Sequence, residues 1–259
     1  MKILFQTVIL TIALFTLLTL NNAFALEGEG TATTFQKIDE LLNQGENQQA
    51  WQRLQDLPDA GPQSKEKNWR MARAQYEMGR IAESDEEAER HYQEAEKLCR
   101  NVVKTNPDYS EGYKWLAITL GSRAKNANTK TQIKLSREVK ENIEKAISLA
   151  PDDDISYLVL SRWHYKISAL GFFSRTFAKI IYGGLPEASL AEAEILLWQA
   201  IEIHDRIAHR YNLAKIYKRM GRQKDVTTQL QLALLLPVTF PEETEELNKS
   251  RIKLQDNRE

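Results

Sequence analysis

Residues 211–237 read YNLAKIYKRMGRQKDVTTQLQLALLLP, and their pattern decides the fold. Tyr211, Leu213, Ala214 and Tyr217 recur at helical spacing, Gly221 interrupts them, and Val226, Leu230 and Ala233 resume it before Pro237. Offsets of three and four residues place side chains on one face of an α-helix. The stretch therefore predicts two amphipathic helices folded back on each other at Gly221. Its small residues admit the neighbouring backbone and its large ones fill the gap, which close-packs a helix pair. One such pair cannot bury its whole apolar face, so it predicts neighbours built alike.

Those neighbours are present toward the N-terminus. Tyr157 and Leu160 precede Ala193, Leu197 and Ala200, with Asp205 where proline usually stands and an insertion over 166–189 between the helices. Tyr113, Leu116, Ala117 and Leu120 precede Val139, Ile143, Ala146 and Pro151. Trp69, Ala72 and Tyr76 precede Ala95, Cys99, Val102 and Pro107. These offsets match the tetratricopeptide repeat (TPR), so the expected fold is an all-α, TPR-like superhelix of antiparallel helix pairs. The repeat domain is expected over 35–240, with units at 69–107, 113–151, 157–205 and 211–237. Residues 35–58 (Phe35, Ile38, Leu41, Leu42, then Ala50, Leu54, Leu57) read as an N-terminal capping hairpin. Residues 241–259, with Leu247 and Leu254 one heptad apart, read as a C-terminal helix covering an exposed repeat face. No stretch sustains strand alternation.

The first twenty-five residues carry Lys2, an apolar run from Ile3 to Leu20, and then Ala23-Phe24-Ala25. That order predicts a signal peptide cleaved before Leu26, and hence a periplasmic or secreted protein. The alternative is an N-terminal membrane anchor, since the run approaches the roughly 20 residues that span a bilayer. Residues 26–34 are polar and glycine-bearing and predict a flexible lead-in. With Lys2 removed, 34 basic residues face 36 acidic ones, a formal charge of −2 that offers no footprint for nucleic acid. The single cysteine, Cys99, excludes an internal disulfide.

Residues 152–200, DDDISYLVLSRWHYKISALGFFSRTFAKIIYGGLPEASLAEAEILLWQA, carry a more particular pattern. An arginine-tryptophan pair, Arg162-Trp163, precedes Phe173, Arg175, Ala178 and Pro186, and then Glu192, Ala193 and Ala200. In this the chain resembles the regulator of microtubule dynamics family of TPR proteins, from about residue 105 to 240. It departs from the family pattern at Ser161 and His164. The resemblance implies a TPR-like helical fold and brings no catalytic residues or cofactor. Eukaryotic members are associated with microtubules or organelle contact sites, and one mitochondrial member has a lipid-handling TPR domain. An exported chain would not meet tubulin, so the microtubule role is not carried over.

Little else announces chemistry. His91, His164, His204 and His209 lack the i, i+4 pairing of a helical zinc motif. Ser122 and Lys125 have a serine-lysine spacing but lack the elements that accompany it in penicillin-interacting enzymes. Asp152-Asp153-Asp154 reads as capping for the helix that begins near Ile155. The expectation is therefore a non-enzymatic scaffold, without metal or cofactor, that binds a protein or peptide. The alternative is a lipid-binding or membrane-associated module using the aromatic insertion. Its candidate surface is Arg162, Trp163, Lys166, Phe172, Phe173, Arg175, Phe177, Lys179 and Tyr182, an apolar face with a basic rim. A helix lengthened by core aromatics is the plainer reading of the same residues. A further candidate is a basic groove on the first helices of the units, with Arg70, Arg73, Lys114, Arg162, Lys166, Arg210 and Lys218.

Overall fold

A computed structural model describes residues 33–59, 61, 63–169 and 187–256. The expected leader at 1–25 lies outside the described residues, as does 170–186, most of the aromatic insertion. The described chain is all-α, as expected. A helix at 33–43 (α1) and Asn47–Gln55 (α2) form a first hairpin. Four pairs follow: Ser64–Ile81 (α3) with Asp85–Thr105 (α4), Ser110–Arg123 (α5) with Thr129–Leu149 (α6), Asp154–Ser168 (α7) with Leu190–Ile203 (α8), and Ile207–Arg219 (α9) with Gln223–Ala233 (α10). Pro241–Asp256 (α11) closes the chain. α4 and α6 run to 21 residues each against 11 in α10, so the extra sequence in the earlier units lengthens their second helices.

Local chemistry sets the helix ends. Ser84, Asn128, Asp153 and Ser189 each accept a hydrogen bond from the backbone N–H three residues on, which satisfies a donor the first turn leaves free. α9 ends on Gly221, whose φ of +74° an L side chain rarely adopts. There the Arg222 N–H reaches the Tyr217 carbonyl at 2.9 Å and the Gly221 N–H reaches Lys218 at 3.2 Å, a Schellman closure that turns the chain into α10.

The core follows the repeat positions. Leu213, Ala214, Tyr217, Val226, Leu230 and Ala233 are all buried between α9 and α10, as are Ala95, Cys99 and Val102 on α4. Burial also pushes the Cys99 thiol pKa up, which keeps it protonated and inert. Consecutive first helices touch: α3 meets α5, α5 meets α7, and α7 meets α9. Each second helix packs on its own partner and on the first helix of the next unit. The first helices thus form the inner wall of the superhelix. No helix among the described residues is long and apolar enough to cross a membrane.

Candidate functional site

The inner wall, a further candidate in the sequence, is not evenly basic. Arg70 is paired with Asp39 at 2.7 Å and Glu66 at 2.8 Å. Lys114 lies between Glu111 at 2.7 Å and Asp153 at 3.2 Å, and Arg210 is held by Asp205 at 2.6 Å. With Arg162, which pairs with Glu246 at 3.0 Å, four of the seven cations have carboxylate partners. Among the described residues Arg73 has no carboxylate at ion-pair distance; it donates to the Asn43 side chain at 2.7 Å and lies near the rings of Trp115 and Phe240. Burial pulls its pKa down, a sign of incompletely compensated charge.

Between α5, α6 and α7 lies a cavity of about 620 Å³, within the range of small-molecule sites. Ile118, Ile133, Val139, Val159 and Trp163 give it apolar walls. Trp163 is buried, and its indole N–H donates to Ser136, to the carbonyl at 2.8 Å and the hydroxyl at 3.0 Å. That bond fixes the ring as a hydrophobic surface with its one donor satisfied. Lys125, Arg162 and Lys166 also line the cavity. Among the described residues neither lysine has a carboxylate within ion-pair distance, while Arg162 shares one with α11. Lys166 is exposed to solvent at the cavity edge, with its ammonium partly desolvated by the surrounding protein. That desolvation first, then repulsion from Lys125, Arg162 and Lys215, brings its pKa down to about 8. Lys215 on α9 is lowered too, by burial and then by Arg162; it lies 5.2 Å from the centre of the Tyr165 ring. An apolar cavity edged by under-compensated cations can take an anionic group and an attached hydrocarbon together.

Of the residues the sequence singles out, Arg162, Trp163 and Lys166 come together here. Phe172, Phe173, Arg175, Phe177, Lys179 and Tyr182 lie outside the described residues. Sequence reasoning misses Lys215 and the α6 wall, and it sets Lys125 aside because the serine-lysine spacing suggested only an unsupported enzyme motif. Lys125 follows the end of α5, where no periodicity marks a residue as inward. The aspartate run divides its roles: Asp153 caps α7 through the Ser156 N–H at 3.2 Å, and Asp154 pairs with Arg206 beneath the buried His209. His209 Nδ1 lies 2.8 Å from the His204 carbonyl, which selects the tautomer donating there. Among the described residues no three His, Cys, Asp or Glu side chains gather as a metal site requires.

An array of antiparallel helix pairs whose first helices line an inner wall defines a TPR-class helical-repeat protein. In keeping with that, the structure resembles a thermophilic TPR protein of Thermus thermophilus, with a TM-score of 0.65 over 85% of this chain and 98% of that one, at 17% identity. The chain belongs to the regulator of microtubule dynamics family: the family model for regulator of microtubule dynamics protein 1-3 matches residues 34–257. It is similar to regulator of microtubule dynamics protein 3 of Xenopus laevis, 32% identical over 68% of this chain and 39% of that protein. It is also similar to protein 2 of Rattus norvegicus, 23% identical over 80% of this chain and 51% of the relative. The chain thus spans about half or less of the length of these relatives.

Proposed function

We propose that this chain is a non-enzymatic binding protein that takes a single-chain anionic amphipath into the cavity between α5, α6 and α7. The observation that carries this reading is the company of Lys125 and Lys166, without carboxylate partners among the described residues, with the apolar walls of a 620 Å³ cavity. An acyl chain would lie against Ile133, Val139, Val159 and Trp163, and its anionic head would lie at the lysines. Native mass spectrometry with oleate, below its micellar concentration, tests this. One bound oleate, reduced by Lys125→Glu with Lys166→Glu, is expected; no bound oleate, or equal binding of a neutral alcohol of the same chain, contradicts it.

A second reading, a protein or peptide bound on the inner wall, is favoured by α11, a helix of acidic character that lies against that wall. A photo-crosslinker at the exposed Lys218 of α9 should capture a reproducible protein partner, and capture should fall with Arg73→Glu. No reproducible capture counts against it. We also propose export of the chain, motivated by residues 1–25; recovery of the full-length, unprocessed chain in the cytosolic fraction would contradict this.

A further inference from the structure

α11 crosses the inner wall instead of merely extending the last repeat. Its Glu246 carboxylate accepts from Arg162 of α7 at 3.0 Å and from Asn212 of α9 at 3.4 Å. Lys253 donates to the Tyr211 hydroxyl at 3.0 Å. At its start, Glu243 accepts from the N–H groups of Thr239 at 2.7 Å and Ala208 at 3.4 Å. Phe240 lies 5.0 Å from Arg206 and 5.9 Å from Arg73, reaching α3, and Pro241 faces Gly45 in the turn between α1 and α2. One short helix and its lead-in therefore touch the first hairpin and three of the four inner helices.

The attachment is mostly polar. Among the described side chains of α11 only Glu243, Ser250 and Leu254 are buried, and only the last is apolar. With Glu246 they recur at spacings of three and four, one helix face. The first two turns carry Glu242, Glu243 and Glu246 toward a wall that presents Arg73, Arg80, Arg162 and Arg206, while Glu245 faces solvent and pairs with Lys249. The seam is also incompletely satisfied: among the described residues Arg73 Nε, Arg206 Nη1 and Glu246 Oε2 are buried without hydrogen-bond partners. Groups of this kind weaken an attachment that has little apolar burial to offset them.

We infer that α11 is a displaceable internal occupant of the inner wall, and that the wall's external partner is an acidic amphipathic helix of another protein seated in its place. The inference rests on the second reading above, a protein or peptide bound on the inner wall. It adds the partner's chemistry: two carboxylates one turn apart, one meeting the Ala208 N–H at the start of α9 and the next meeting Arg162, followed by a small polar and then an apolar residue at four-residue intervals. Charge complementarity chooses this class, because the wall's cations already hold a carboxylate carried on a helix.

The test uses the full chain with Glu246→Lys and Leu254→Asp, which removes the internal contacts, and a labelled synthetic peptide of this chain's residues 238–256 as the probe. The doubly substituted chain should bind the peptide at least about tenfold more tightly than the unaltered chain, because the internal competitor is gone. A peptide with lysine in place of the glutamates at 243 and 246 should not bind. Hydrogen exchange of the unaltered chain should open 241–256 faster than 207–233 by at least about tenfold. Failure of the doubly substituted chain to bind the peptide, with circular dichroism preserved, overturns the inference, as does exchange in α11 as slow as in α9. Dimerisation by exchange of α11 between copies would overturn the external-partner assignment. In each of these cases the crosslinking test of the wall as a protein site keeps its own independent outcome.

Discussion

The guanidinium of Arg162 and the carboxylate of Glu246 lie 3.0 Å apart across 84 positions of sequence. Arg162 stands where two features meet, since the same side chain lines the cavity and anchors α11. The carboxylate is the more buried partner. Burial first, and then Glu243 and Glu242, raise its pKa, with Arg162 opposing them. Occupancy of the cavity and seating of α11 thus draw on one residue.

Arg162→Ala should lower stability by about 1 to 2 kcal/mol, because it leaves Glu246 buried with only a long bond from Asn212. Adding Glu246→Ala should recover part of that loss. A double-mutant cycle by urea denaturation measures the coupling, expected at about 1 kcal/mol. Strictly additive effects would show that the pair is not coupled.

Two glycines should respond oppositely to alanine. A Cβ on Gly112 would sit 2.7 Å from Cγ1 of Val102, a stiff β-branched side chain where α5 crosses α4. Gly112→Ala should therefore destabilise by about 1 kcal/mol or more despite alanine's better helix propensity. A Cβ on Gly121 would meet nothing nearer than Val139 at 4.0 Å, so Gly121→Ala should stabilise by roughly 0.5 to 1 kcal/mol. Thermal melts of the two variants check the pair.

The repeats were legible because their information is local. Leu213, Ala214, Tyr217, Val226, Leu230 and Ala233 announce their burial by spacing alone, and the structure buries them all. The inner wall was not legible, because a paired arginine and a free one look alike in sequence. Arg70 meets Asp39 from 31 residues away and Lys114 meets Asp153 from 39, distances set by superhelical stacking. Arg162, Trp163 and Lys166 were found through their setting in a family-like stretch. Lys215 had no such marker, since it joins the cluster only when α9 packs beside α7.

Acid should loosen the last repeat through His209. Burial holds its pKa down at about 4, below the ordinary 6.5, so the folded protein keeps the ring neutral. Between those values the unfolded chain binds more protons, so stability rises with pH across this window and is lost as pH falls through it. Denaturation of the unaltered chain and of His209→Gln over this window is the check, with a shallower dependence expected for the variant.

Ligand binding should carry the opposite dependence through Lys166. Its pKa of about 8 in the free site means that rising pH removes the positive charge an anion needs. Affinity for oleate should fall as pH climbs through that value, by up to about tenfold per unit. Lys166→Met should flatten the profile.

Calorimetric titration of oleate into the unaltered chain and into Val159→Trp tests the central claim most directly, because the larger side chain grows into the cavity and leaves Lys125 and Lys166 in place. The account predicts one saturable site in the unaltered chain and its loss in the variant, with helicity retained. Absence of saturable heat in the unaltered chain, or equal binding by a folded Val159→Trp variant, would contradict it.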